Sequence, residues 1–332
     1  GHRLAVQGLE ALVAGQIAAI RILDPDEIGA RTHERFEQAP PGLELRLGLL
    51  ACADGMAKIQ DGLGDALQSG LPIVRHATDI FEQWIGIRRI GVAAVALAFV
   101  RSPLITSLTA LDLDEISNGR LILGLGTGAK RTNEMWHGIP HGKPVTRMKE
   151  FIEVLRLLTG GIHGAKPVEY KGEYYDINLR GYRRPFDPVR ERIPVFLAGV
   201  GGRMCRAAGE TADGYLGHVV CSLRYLNEVV TKEIGAGLKA SGRKRSDFEA
   251  ASIITCAISK DKRRAMHAAR ATIAFYATVK TYEPPFRLHG FEKETARIRE
   301  AFLRGDADSM IKHVTDDMVG TFAVVGDAGG LL

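Results

Sequence analysis

Two glycine-rich stretches carry the clearest chemical signal in this 332-residue sequence. Gly124-Leu125-Gly126-Thr127-Gly128-Ala129 follows an apolar run and satisfies the GxGxxA spacing, which lets backbone N–H groups approach a dinucleotide pyrophosphate. Glu150, about 20 residues on, is the candidate ribose partner in that reading. It falls, however, inside a helical pattern rather than after a second strand, and the motif arrives only after a third of the chain. Glycines that simply end a barrel strand account for the same residues. The second stretch, Ala198-Gly199-Val200-Gly201-Gly202-Arg203, joins a strand pattern to a helix pattern. Consecutive small residues there leave N–H groups to converge on an anion at a helix N-terminus. The alternative is a turn that needs positive φ.

Asn133, Glu134 and Trp136 follow the first stretch. At the C-terminal end of a barrel strand, polar and aromatic groups favour ligand contact over core. His137 and His141 are four apart, but Gly138 and Pro140 break the helix that a metal-binding pair would need. Arg147 suits either an anion or a helix cap. No GxSxG, HExxH or P-loop pattern occurs.

The elements around these loops alternate strand and helix. Apolar strand patterns fall at residues 89–98, 120–125, 193–197, 215–220, 251–259 and 321–325. Helical periodicity falls at 103–118, 148–158, 203–212, 223–240 and 262–278. Residues 168–177, with Tyr170, Tyr174 and Tyr175 around Lys171-Gly172, predict a small inserted hairpin. Such alternation means a parallel sheet with helical crossovers, closed as an eight-stranded barrel or left open and doubly wound. No linker or composition shift divides residues 1–332, so a single domain is expected.

Composition excludes several classes. Hydrophobic residues make up 45% and charged residues 25%, which rules out a disordered chain and a disulfide-stapled miniprotein. The 38 glycines exceed the roughly 23 that average usage would give, so tight turns and close backbone approaches are expected. The net charge is +5, yet the basic groups at 243–245 and 260–264 are short, have acids nearby and carry no interleaved aromatics. Nucleic acid is therefore not an expected partner. The apolar run at 90–100 is about half the roughly 20 residues a bilayer span requires. Gly1-His2-Arg3 shows no signal-peptide anatomy. Cys52, Cys205, Cys221 and Cys256 stand far apart without a CxxC pair, as reduced thiols of a cytoplasmic protein would.

The glycine loops and their flanks together resemble a known family. Leu111-Asp112-Leu113-Asp114-Glu115-Ile116-Ser117-Asn118-Gly119-Arg120, followed by residues 121–128, resembles the signature of the bacterial luciferase-like superfamily. That signature is a helix ending in Ser-x-Gly-Arg and then a strand ending in Gly-x-Gly-x-Gly. Residues 144–150, 172–175, 193–202 and Ala212-Asp213-Gly214 match further segments in order and at the right spacing. Residues 99–103 and 322–326 resemble, more narrowly, the branch that uses the deazaflavin coenzyme F420. The resemblance covers about residues 87–326; residues 1–86 match poorly.

The resemblance implies a (β/α)8 TIM barrel with insertions that holds coenzyme F420, or alternatively FMN, at the C-terminal mouth. Ala93, Ala94 and Ala96 would lie beneath the cofactor ring, with a non-prolyl cis peptide among residues 93–96. Gly126, Gly128 and Asn133 would bind the cofactor, and Ala198, Gly199, Val200, Gly201 and Gly202 would cradle a phosphate. His76, in Arg75-His76-Ala77-Thr78-Asp79, is the nearest candidate for the family's acid or base over the ring; the other reading is a surface histidine. The family pattern also continues into a final barrel helix past the position of Leu332. The leading functional expectation is hydride transfer between coenzyme F420 and a small organic substrate, by a homodimer or higher homo-oligomer. The alternatives are an FMN-dependent monooxygenase and a barrel that binds without catalysing.

Overall fold

A computed structural model describes residues 90–95, 98–162, 164 and 167–326. His76, Ala96 and Cys52 lie outside them. The described residues form two compact units, one of 90–216 with 232–250, the other of 217–231 with 251–326. No helix among them is long and apolar enough to cross a membrane.

The first unit begins with β1 (Ile90–Val95), α1 (Pro103–Ile116) and β2 (Leu121–Leu125). Ser102 starts α1: its Oγ accepts from the Ile105 N–H at 3.2 Å, and Pro103 supplies the fixed φ suited to a first helical residue. The helix stops where Asn118 (φ 53°) and Gly119 (φ 75°) turn left-handed and the Gly119 N–H donates back to the Asp114 carbonyl. The Arg120 guanidinium donates to the Ser117 carbonyl at 2.7 Å. The Ser-x-Gly-Arg segment is thus a helix-to-strand turn.

α2 (Pro144–Gly161) buries Met148, Phe151, Ile152, Leu155 and Leu158 completely or nearly so, the face that its helical spacing predicts. The hairpin is β3 (Val168–Lys171) antiparallel to β4 (Asp176–Leu179). Its turn is held by Glu150 of α2, whose carboxylate accepts from the N–H groups of Glu173, Tyr174 and Tyr175 at 2.9, 2.8 and 3.3 Å. A Cβ on Gly172 would lie 2.4 Å from that carboxylate. The reading of Glu150 as a ribose partner is therefore corrected, because its oxygens are engaged by the hairpin. Glu150→Gln replaces one acceptor oxygen with a donor facing N–H groups. It is expected to lose about 1–3 kcal/mol, seen as a lower urea midpoint and faster proteolytic nicking at 171–175. An unchanged midpoint would mean the hairpin stands without it.

β5 (Val195–Ala198), α3 (Gly202–Thr211), β6 (Gly214–Gly217), α4 (Thr231–Ala240) and β7 (Glu249–Ser252) follow. The sheet order is β1-β2-β5-β6-β7, and the pairs β1–β2, β2–β5 and β5–β6 are parallel. Apart from the hairpin, neighbours in sequence are neighbours in the sheet. A doubly wound sheet reverses its order at a switch point; this one does not. The dinucleotide-fold reading fails on that order, and four parallel strands carry their C-terminal ends to one edge.

The second unit holds β8 (Thr255–Ile258) parallel to β9 (Ala323–Gly326), with α5 (Lys262–Ala277), α6 (Glu283–Leu288), α7 (Glu292–Leu303), α8 (Ala307–Lys312) and α9 (Asp316–Phe322). Ala269, Ile273, Phe286, Ile298, Met318 and Phe322 pack in its core. The single strand expected over 251–259 is two, broken at Ile253-Ile254. The strand expected from Thr321 starts at Ala323, since Thr321 and Phe322 complete a helix capped by Thr315. Ser222 and His289 approach to 2.7 Å, but the serine hydroxyl also accepts from the Tyr225 N–H as a helix cap.

Candidate functional site

The residues singled out in the glycine loops converge at the C-terminal ends of β1, β2 and β5. Between Val92, which pairs with Leu123, and Val95, which pairs with Leu125, β1 carries two residues where β2 carries one. Ala93 and Ala94 therefore form a bulge, a device that re-aims backbone beside functional sites. The described residues contain no cis peptide bond, so the bonds joining Ala93, Ala94 and Val95 are trans. This corrects the expectation there; the Val95–Ala96 bond lies outside the described residues.

Beyond β2, the Gly126 carbonyl accepts from the Ala98 N–H at 3.1 Å, joining the two strand ends. Gly128 adopts φ 66°, which a branched residue would resist. Asn133 is fully buried, and its Nδ2 donates to the carbonyls of Thr127 and Ala129 at 2.8 and 3.0 Å. It clamps the glycine loop, while its buried Oδ1 has no hydrogen-bond partner among the described residues. Trp136 and Met135 are exposed beside it.

Arg147 makes no side-chain cap to α2. Its guanidinium lies 4.3 Å over the Phe99 ring and donates to the Pro140 carbonyl and the Tyr175 hydroxyl at 2.8 and 3.3 Å. His141 packs edge-on against Phe99, and burial lowers its pKa. Among the described residues no group of His, Cys, Asp or Glu is placed to hold a metal ion.

The turn after β5 leads directly into α3, with the Glu233 side chain beside Gly202. The Gly199 carbonyl accepts from the buried Tyr215 hydroxyl at 2.6 Å, and the buried Cys205 thiol faces the Val200 carbonyl at 3.8 Å. A trans peptide points its N–H away from its C=O, so the Gly201 N–H faces away from Cys205. Gly202 and Arg203 are first in α3, where N–H groups have no carbonyl one turn back, and no side chain caps the helix. The macrodipole adds favourable field for an anion. None of Gly199, Gly201 and Gly202 has positive φ, so the turn does not need glycine for its backbone conformation. Gly201 is extended (φ −69°, ψ 140°), and a Cβ there would meet nothing within 4 Å. Gly199 serves packing: its Cβ would lie 2.6 Å from the Met204 side chain. Tyr215 was not singled out by sequence, although a tyrosine in a buried strand needs a partner for its hydroxyl.

Comparison with known proteins bears on the family and the fold. The sequence model of the luciferase-like monooxygenase family matches residues 88–331. An uncharacterized protein of Mycobacterium tuberculosis is 36% identical over 236 residues, 70% of this chain and 69% of the relative. The 5,10-methylenetetrahydromethanopterin reductase of Archaeoglobus fulgidus is 35% identical over 232 residues, 68% of this chain and 66% of the relative. The solved structure of the coenzyme F420 dependent tetrahydromethanopterin reductase from Methanopyrus kandleri has a TM-score of 0.59 at 28% identity, covering 73% of this chain and 72% of that one. The fold is thus the luciferase-like α/β fold, and oxidoreductases that use coenzyme F420 are among its homologues. On the strength of a match spanning most of its length, the chain belongs to the luciferase-like monooxygenase family.

Proposed function

We propose that this protein is a coenzyme F420-dependent oxidoreductase acting on a small organic substrate. The observation that carries the reading is the turn of Gly199, Val200, Gly201 and Gly202. Its carbonyls face buried donors, and its N–H groups lie at the start of α3 beside space that a Cβ of Gly201 would enter. A phosphodiester fits such a cradle, and relatives named as F420 enzymes favour the deazaflavin over FMN. When bound, the deazaflavin supplies or takes a hydride. The chain's own part is to hold the phosphate at this turn, to shape the ring's seat with the β1 bulge and the loop clamped by Asn133, and to exclude water.

Titrating the protein with coenzyme F420, FMN and NADPH, followed by cofactor fluorescence, tests the assignment. Tight F420 binding is expected; preference for FMN would point to an oxygen-using monooxygenase, and binding of NADPH alone would sink the reading. Gly201→Val tests the cradle. Valine accepts the extended conformation of Gly201, so the fold survives, but its branches occupy the anion's side of the turn. F420 affinity is expected to fall at least about tenfold, worth roughly 1.4 kcal/mol, with an unchanged melting temperature. Unchanged affinity would mean the loop is only a turn.

A further inference from the structure

A second group of chemistry-bearing side chains lies in the unit of residues 217–231 and 251–326. β6 pairs with β5 as far as Leu216 against Ala198 and ends at Gly217. His218 comes next, at the strand end where barrels of this class present ligand-contacting residues. Its imidazole stacks on the Tyr282 ring at 4.2 Å between centroids and meets the edge of Tyr276 at 4.6 Å. The two tyrosines also touch each other, at 5.8 Å, so the imidazole is held between two large rings.

The hydrogen bonding fixes which nitrogen carries the proton. The Val220 N–H faces His218 Nδ1 at 3.4 Å. A backbone N–H only donates, so Nδ1 is the acceptor and the proton of the neutral ring resides on Nε2. Burial pushes the His218 pKa down to about 4, so the ring is neutral near pH 7. Burial also raises the pKa values of Tyr276 and Tyr282, so both hydroxyls stay protonated. Beside this wall, Ser252 presses against the backbone of Gly217, where a Cβ would lie 2.5 Å from its hydroxyl. That hydroxyl is buried, with no hydrogen-bond partner among the described residues. The imidazole, held between the two tyrosine rings, therefore offers an N–H donor without a formal charge.

We propose that His218 Nε2, steadied by Tyr276 and Tyr282, donates a hydrogen bond to an uncharged acceptor on the substrate, a ketone oxygen or an imine nitrogen. This rests on the oxidoreductase reading for its role in turnover, though the binding itself does not need the cofactor. Among the described residues of this wall, His218, Tyr276 and Tyr282, a carboxylate or phosphate substrate would find no cation. A charged group buried without a partner is costly, whereas a neutral carbonyl needs only one good donor.

The test uses protein labelled with 15N-histidine and three uncharged ketones, acetone, cyclohexanone and acetophenone, with benzoate and phenyl phosphate as charged probes. His218 is assigned by the resonance lost in His218→Phe, which keeps a flat ring in the stack but has no donor. At least one ketone is expected to shift the Nε2 resonance and to bind His218→Phe about tenfold more weakly, the scale of one lost hydrogen bond. His218→Gln, which restores an N–H donor, should recover part of that loss. The proposal is overturned if no ketone shifts Nε2, if ketones bind His218→Phe as tightly as the parent, or if the charged probes bind better. Coenzyme F420 is titrated separately into parent and variant. Equal F420 affinity in both supports a substrate role for His218. A parent that fails to bind F420 sinks the cofactor assignment, while the ketone shifts still decide the proposal.

Discussion

Replacing Asp114 with alanine is expected to destabilise the protein by about 3–5 kcal/mol, the scale for removing one partner of a buried ion pair. Asp114 is 2% exposed near the end of α1. One carboxylate oxygen accepts from Arg190 at 2.7 Å and from the Leu121 N–H at 3.2 Å, and the other accepts from Arg190 Nε at 3.0 Å. Arg190 also donates to the Leu121 carbonyl. A single side chain thus joins the end of a helix, the first residue of β2 and the 180–194 segment. Alanine leaves the Leu121 N–H unpaired and the guanidinium without its counter-charge. Because the Arg190 side chain is 29% exposed, water recovers part of its hydration, which places the loss toward the lower end of that range. Asp114→Asn keeps the shape and one acceptor and should lose less, about 1–3 kcal/mol. Chemical unfolding measures both. A loss below about 1 kcal/mol for alanine would mean the pair behaves as an exposed one. Coenzyme F420 affinity per folded molecule should not change, since Asp114 supports the turn at Ser117 to Arg120 and does not touch the glycine loops.

That contrast separates what was legible in the sequence from what was not. The parallel sheet was legible because strands and helices differ in apolar period. Leu121, Leu123 and Leu125 are buried in β2, and Met148, Phe151, Ile152, Leu155 and Leu158 lie on one helical face. The turn after β5 was legible because small residues between a strand and a helix have few other uses. Three short helices between Glu283 and Phe322 were not, since α6, α8 and α9 run only 6, 6 and 7 residues, too short for periodicity to declare itself. The break between β7 and β8 was hidden by apolar residues that continue through Ile253-Ile254. Glu150 was misread because a helical pattern tells which face a residue lies on, but not that a hairpin 23 residues away will use its carboxylate. His218 was absorbed into a strand because its partners, Tyr276 and Tyr282, come from distant sequence. His76, the candidate acid or base, lies outside the described residues.

Tertiary contact also decides the sign of the second large effect, the loss expected on replacing Gly237 with alanine. Within an isolated helix this change is favourable by about 1 kcal/mol, because alanine is the better helix former. In α4, however, a Cβ at Gly237 would lie 2.1 Å from the Arg206 carbonyl oxygen and 3.0 Å from the Glu210 nitrogen, both backbone atoms of α3. The contact is reciprocal, since a Cβ at Gly209 would lie 2.3 Å from the Ile234 carbonyl oxygen. Neither atom can rotate away as a side-chain tip would, so the helices must separate. They are also tied at the crossing: Arg206 donates to Glu233 at 2.9 Å, and Ser241 and Arg243 donate to the Gly209 carbonyl at 3.3 and 3.2 Å. Overpacking typically costs about 1–3 kcal/mol, and with backbone on both sides the upper end applies and outweighs the helix-propensity gain. A net loss of about 2 kcal/mol is expected from the denaturant midpoint. Because α3 begins at Gly202, a forced shift of this helix also moves the N–H groups proposed to hold the phosphate. Gly237→Ala should therefore lower both stability and F420 affinity, whereas Gly201→Val lowers affinity alone. A midpoint that holds or rises in Gly237→Ala would show that the two helices slide apart freely and that intrinsic helix propensity, not their close crossing, sets the balance.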